Sequence, residues 1–350
     1  MFKTKENFHN ILVLINAIIL IIFFIVGVFI FDDYGVTVDE PIERQTSLVN
    51  LKFILSELSH KHIPESLSTL PNLGNYQFSD YGVILQFPTV LFEYFTDFRY
   101  DISSIFKLRH LWTFLNFFAS VIFFNLLLYQ RFRNQLISLF GTLFLIISPR
   151  IFADAFYNIK DLIFLSWFII GLFFLYRYIH HPTKQNSLIL AIVIALAANT
   201  RIIGFILLIA ACVCLTFAFL TKEINHKEFY INGLILVGLN ILLWILFLPS
   251  SWENPIIFLI KTLRHFSQNY YEKESKYNLL LKSIFFGILS VMFFYNLLLF
   301  LALKDLSFLY YIIYLFSQIY LHLTYFNFGY QFLWSNYPWF NMHSLPVSIG

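Results

Sequence analysis

The stretch from Ile11 to Phe31 is apolar except for Asn16, and stretches of similar character recur along the chain. Hydrocarbon offers no water to a peptide group, so segments of this kind must close their backbone hydrogen bonds internally, as helices. A bilayer crossing takes about 20 apolar residues. That length places spans near 10–31, 108–129, 134–148, 162–179, 187–199, 202–220, 230–248, 281–303 and 306–325. The expected fold class is an all-α polytopic membrane protein, a bundle of about nine transmembrane helices. The third and fifth runs are short and bounded by SPR and NTR, which predicts tilt or, for the fifth and sixth, a re-entrant pair. Composition agrees, with 59% hydrophobic and only 12% charged residues, far from soluble usage. A net charge of +3 gives no reason to expect nucleic acid as a partner.

Lys3 and Lys5 precede the first run as they would in a signal peptide, but its length and the lack of a small-residue cleavage pattern predict a retained helix. Cys212 and Cys214 lie two apart in an apolar helix and point to different faces, so no disulfide framework is expected. If the helices alternate, Lys3, Lys5, Arg131, Arg133, Arg177, Lys184, Lys222, Lys227 and Lys304 fall on one side, which the charge bias assigns to the cytoplasm. The opposite face receives residues 32–107, the SPRIFADAFYNIK loop, the ANTR turn and SSWENP.

The long first loop on that face holds eleven of the 20 Asp and Glu residues between positions 32 and 105, which concentrates the acidic chemistry there. Within it, Leu48, Leu51, Ile54 and Leu55 have helical spacing, which predicts a surface helix over 42–58 with one apolar face along the membrane. Residues 59–80 read as loop, and 83–96, broken by Pro88, as a second interfacial segment.

Three sites on this face combine ionisable residues with helix boundaries. Asp39 and Glu40 lie between Gly35 and Pro41, a turn that presents two carboxylates at a helix start, where the helix dipole keeps them ionised; the alternative is that Asp39 only caps that helix. In SPRIFADAFYNIKDLIF, Asp154, Lys160 and Asp161 sit at the edges of strongly apolar helices, and Asp161 is either functional or an N-cap. Arg201, beside Asn199 and Thr200 in an otherwise apolar stretch, calls for a phosphate, a carboxylate or a lipid headgroup, or snorkels to the interface. GxSxG, HExxH, GxxxxGK[ST] and metal-spaced Cys/His clusters are absent, and His60 with His62 supplies only two ligands. No metal and no cofactor is expected.

The segments VTVDEPIERQ, SPRIFADAFYNIKDLIF, NTRIIGF and LPSSWENPI, in this order and on one face, resemble the GT-C glycosyltransferases, family 39-like, among them the protein O-mannosyltransferases and the lipid A aminoarabinose transferases. The resemblance covers roughly residues 10–270. It implies a GT-C-like catalytic module over 1–270 with its long first outer loop at 32–107, and additional hydrophobic helices with an aromatic tail over 271–350. It also implies transfer of a sugar, with inversion, from a polyprenyl-phosphate carrier to a lipid, glycan or protein acceptor, at the periplasmic face of a bacterial inner membrane. By motif position, Asp39 would be the general base and Glu40 and Asp161 would orient acceptor or sugar. Arg201 would contact the lipid phosphate, with Lys160 and Arg150 as second choices. The family's later outer loop has no recognisable counterpart in 271–350, which predicts a shortened member, a fragment or an inactive relative. The competing class is a lipid or solute transporter, with Asp39, Asp161 and Arg201 along a polar path. Transport calls for such groups near the midplane, and here they collect at one face.

Overall fold

The computed structural model describes residues 2–59, 64–96, 101–252, 254–258 and 260, with six isolated positions between 288 and 315. Every regular element among the described residues is helical. The chain divides into two units, Met1–Ile260 and Lys261–Gly350. The expected spans at 281–303 and 306–325 and the aromatic tail lie outside the described residues but for those isolated positions, as do His60 and His62.

Five helical stretches in the first unit are long and apolar enough to cross a membrane: His9–Ile30, Ile102–Phe132, Asp161–His180, Ile202–Leu220 and His226–Leu246. They match five of the expected runs. The run at 134–148 becomes the first half of a bent pair, Gln135–Ile147 and Pro149–Tyr157, with 63° between the halves. Ser148 leaves the helical region at ψ 112° and Pro149 has no N–H to continue the ladder, so the break falls between them. The run at 187–199 forms the 17-residue helix Lys184–Thr200. The seven expected runs that fall on described residues therefore correspond to five spans, or six if the bent pair counts as one, and the shorter helix Lys184–Thr200.

In chain order the helices are α1 (Phe2–Ile30), α2 (Asp39–Ser59), α3 (Glu65–Ser68), α4 (Phe87–Phe95), α5 (Ile102–Phe132), α6 (Gln135–Ile147), α7 (Pro149–Tyr157), α8 (Asp161–His180), α9 (Lys184–Thr200), α10 (Ile206–Leu220), α11 (His226–Gly233) and α12 (Leu239–Leu246). A 3-10 turn, Ile202–Phe205, leads into α10, and a π-helical stretch, Leu234–Gly238, joins α11 to α12. Local chemistry sets several starts: Asp101, Asn134 and Thr183 accept from backbone N–H groups of α5, α6 and α9, and Asn225 with Glu228 forms a capping box on α11.

α5 is the hub, packed against α1, α4, α6, α7 and α8, while α9 lies between α8 and α12. One apolar core joins α1, α5 and α7 through Phe23, Phe114, Phe117 and Phe156, and a second joins α8, α9 and α10 through Tyr178, Leu190, Ile194, Leu207 and Leu215. Close packing at the first leaves no space beside Gly27, where a Cβ would sit 2.0 Å from the Phe114 ring. Neutral amides tie helices together inside the apolar layer. Asn125 Nδ2 donates to Asn16 Oδ1 and Thr142 Oγ1, both at 2.9 Å, Asn16 Nδ2 donates to Gln135 Oε1 at 3.3 Å, and Trp167 Nε1 donates to Asn116 Oδ1 at 2.9 Å.

α2 corrects the surface-helix reading. Its Leu48, Leu51 and Leu55 do form one face, but that face packs on Leu67 and Val90 of the same loop region. A second stripe, Glu40, Glu43, Ser47 and Asn50 at helical spacing, is buried as well. Burial of that polar stripe requires partners, and the rest of the bundle end supplies them.

Candidate functional site

The site starts at the turn before α2. Glu40 Oε1 accepts the Thr37 backbone N–H at 2.8 Å and its hydroxyl at 3.0 Å, so T-x-x-E at 37–40 ties off the helix start. Asp39, one residue earlier, stays exposed in the first helical turn, where the macrodipole favours the ionised carboxylate. Neither carboxylate is where a simple N-cap reading puts it: Asp39 is free of the cap, and Glu40 is wholly buried with its second oxygen 2.9 Å from His110 Nε2.

One turn on, Glu43 Oε1 accepts from the Lys160 ammonium at 2.6 Å. That ammonium also lies 3.3 Å from the centroid of the Tyr81 ring, a cation–π contact in a half-buried setting. Burial pushes Lys160 below the ordinary lysine value, with Glu43 pulling the other way. Burial raises the Tyr81 hydroxyl, Asp80, Glu43 and Asp39 raise it further and Arg201 opposes them, so Tyr81 stands within electrostatic reach of both sides of the site. Arg201 Nη2 pairs with Asp161 Oδ1, and both side chains remain substantially exposed, at 42% and 62%. Asp161 is not the N-cap of α8. Lys160 holds that position, and the Asp161 N–H donates to Asn158 Oδ1 at 2.9 Å. Arg150 is 88% exposed and reaches only Asp154 on its own helix, at 3.4 Å.

The stretch 79–86 ties together three of the four segments singled out in the sequence, those at 148–164, 199–205 and 248–256, and the fourth, 36–45, joins them through Glu43 and Lys160. Asn199 accepts the Ile84 N–H at 3.1 Å and donates to the Phe247 carbonyl at 3.0 Å, binding the NTR turn to this loop and to the end of α12. Ser250 Oγ donates to the Ser79 carbonyl, Trp252 packs on Phe53 of α2, and Gln86 Nε2 donates to the Ile159 carbonyl at 2.7 Å. Gly82 is required by this closeness, since a Cβ there would lie 1.9 Å from the Asn199 carbonyl oxygen. Asp39, Lys160, Asp161 and Arg201 thus occupy one end of the bundle, with Glu40 beneath and Arg150 at the rim.

Beneath this surface is a polar layer that sequence reasoning did not single out. Arg44 grips Glu93, its Nε 3.1 Å from both carboxylate oxygens. Arg109 is fully buried, its Nη1 3.4 Å from Gln86 Oε1, with Glu93, Arg44, Glu40 and Glu43 as its nearby charges. Arg109 Nε and Nη2 and His110 Nδ1 have no hydrogen-bond partner among the described protein atoms. The signals were present: T-x-x-E at 37–40 matches the capping-box pattern, and Arg109-His110 is an ionisable dipeptide inside the long α5 helix.

Comparison with known proteins adds one match. The family model described as 7TM diverse intracellular signalling matches residues 278–350, about a fifth of the chain and nearly all outside the described residues. No curated protein matches the chain. No solved structure matches it either. With its apolar spans and this match to a membrane-spanning module, the chain is a multi-pass integral membrane protein, all-α among the described residues.

Proposed function

We propose that the chain is a GT-C-type glycosyltransferase that moves a sugar from a polyprenyl-phosphate carrier to a lipid, glycan or protein acceptor at the periplasmic face of a bacterial inner membrane. The observation that carries this reading is convergence. An exposed carboxylate at a helix N-terminus, Asp39, shares one bundle end with Lys160 and Arg201, and Tyr81 feels the charge of Asp39 and Arg201 and lies under Lys160. Transfer to a hydroxyl needs a base for the acceptor proton and positive charge for the departing lipid phosphate. Asp39 serves as base, and Lys160 and Arg201 face the phosphate. Asp161 orients Arg201, since the two are paired. Glu40, with both oxygens occupied and no exposed surface, holds the turn and does not touch substrate. Among the described residues the charged side chains of the spans cluster toward the helix ends, which favours surface chemistry over a transport path.

The test is transfer of labelled sugar from a panel of polyprenyl-phosphate sugars by the purified full chain in lipid. Asp39→Asn is expected to cut turnover by about 10²-fold or more, the scale of a lost general base, with carrier binding intact. Undiminished turnover in Asp39→Asn removes Asp39 as base, and no consumption of any donor removes the transferase reading.

A further inference from the structure

His110 reaches from the middle of the bundle to the turn that presents Asp39. It lies one turn into the buried part of α5, 1% exposed, and its Nε2 is 2.9 Å from Glu40 Oε2. Glu40 has no exposed surface, and its other oxygen holds the Thr37 N–H and hydroxyl. An ionised carboxylate accepts only, so against it the imidazole donates through Nε2–H, while Nδ1 has no hydrogen-bond partner among the described protein atoms. Thr37, Val38, Asp39 and Glu40 therefore form a short turn clamped at both ends by one carboxylate, which is itself anchored to a membrane-spanning helix 70 residues away in sequence. Val38 and Asp39, between the clamped ends, are exposed, and no side-chain hydrogen bond or ion pair holds either among the described residues. Without His110, Glu40 would be a buried carboxylate short of one partner, and its easiest relief is rotation toward solvent, which undoes the clamp.

We infer that His110 is a positioning residue that, through Glu40, sets where the Asp39 carboxylate stands; its catalytic meaning rests on the transferase reading above, but the positional claim does not. Glutamine can offer an N–H close to where imidazole Nε2 presents its own, while leucine fills the space without a donor. His110→Leu is expected to release the turn and His110→Gln to hold it.

The experiment uses the full chain in lipid with Cys212 and Cys214 replaced by alanine and a nitroxide spin label on Val38→Cys, a position 85% exposed. The label should report an ordered turn in the parent, a mobile one in His110→Leu and an ordered one again in His110→Gln. A label as ordered in His110→Leu as in the parent overturns the proposal. So does a His110→Gln protein that unfolds at the parent's temperature yet is as mobile as His110→Leu. In transfer assays His110→Leu should lower kcat by about tenfold or more with the donor KM within about twofold, because the groups facing the phosphate are untouched, and His110→Gln should recover most of it. Equal losses in both folded variants overturn the positioning role. Asp39→Asn, run alongside, separates the two questions. Full turnover in that variant sinks the transferase base, and the label spectra still decide whether His110 sets the turn.

Discussion

Lys160 carries two constraints that pull against each other. Its side chain is 15% exposed and its ammonium is paired with Glu43, whose side chain is 5% exposed, so each charge depends on the other for compensation in a low-dielectric setting. Lys160→Met leaves Glu43 buried and unpaired and is expected to cost about 3–5 kcal/mol. The double variant with Glu43→Gln should regain most of that, as read by chemical unfolding in detergent. The pH dependence has a defined sign. Burial holds the folded-state value below the ordinary 10.5, so between those two values the unfolded chain keeps a proton that the folded chain gives up. Within that window the stability cost of burying this charge fades as pH rises, while affinity for an anion that uses the ammonium falls. Titration with a short-chain isoprenyl phosphate should show binding lost on the alkaline side below the ordinary lysine range. In Lys160→Arg, where the guanidinium stays charged, the loss should disappear; persistence of the same alkaline limb would remove Lys160 as its origin.

At the scale of elements, the NTR turn between α9 and α10 is held by packing that a single methyl group would break. A Cβ on Gly204 would lie 2.6 Å from the Ala198 backbone nitrogen and 2.8 Å from the Ala197 carbonyl carbon, atoms of the neighbouring helix that cannot rotate away. Gly204→Ala is expected to cost about 1–3 kcal/mol through overpacking and to pull Arg201 off Asp161. Gly35, with nothing within 4 Å, is the matched control and should accept alanine without loss. Thermal unfolding of the two variants checks this, and equal melting temperatures would refute the crowding argument. The amide network of α1, α5 and α6 belongs to the same scale. Asn16→Leu removes the contacts to Asn125 and Gln135 and is expected to cost only about 0.6–1.7 kcal/mol, since lipid-exposed alternatives for such groups compete. A larger loss in urea or detergent-driven unfolding would mean that the network organises α1 as well as binding it.

For the molecule as a whole, helix direction decides which residues meet. The α5–α6, α8–α9 and α10–α11 connections, with Arg133, Thr183 and Lys222, share one end, where Tyr176 donates to the Gln130 carbonyl and Asn232 to the Pro182 carbonyl. The candidate site occupies the other. If the Lys/Arg-rich end is cytoplasmic, a cysteine at Val38 in the cysteine-free background is modified by an impermeant maleimide applied outside intact cells. One at Lys222 reacts only after permeabilisation, and labelling of both from the same side would break the alternating topology. Hydropathy made the spans at 10–31, 108–129, 162–179, 202–220 and 230–248 legible because lipid imposes the same requirement on every residue of a crossing, with no need for a distant partner. The bend at Ser148-Pro149 was legible only as a short run, since a break in a helix does not say how far the axis turns. The apolar face of α2 was read as lying along the membrane for a related reason: spacing identifies stripes but not what covers them, and this helix buries two. Asp39, Asp161, Lys160 and Arg201 could be named from the chain because ionisable residues at the ends of apolar runs are conspicuous. Which of them pair could not, because the pairs Glu43–Lys160, Glu40–His110 and Arg201–Asp161 span 117, 70 and 40 residues. What the sequence by itself determined is the all-helical, membrane-embedded class and the end of the bundle where charge collects, since both follow from local transfer free energies. Only the tertiary structure decided that Glu40 is an anchor and Asp39 the exposed carboxylate, because the contacts of Glu40 with His110 of α5 and of Glu43 with Lys160 at the start of α8 settle which charges lose their water and which keep it.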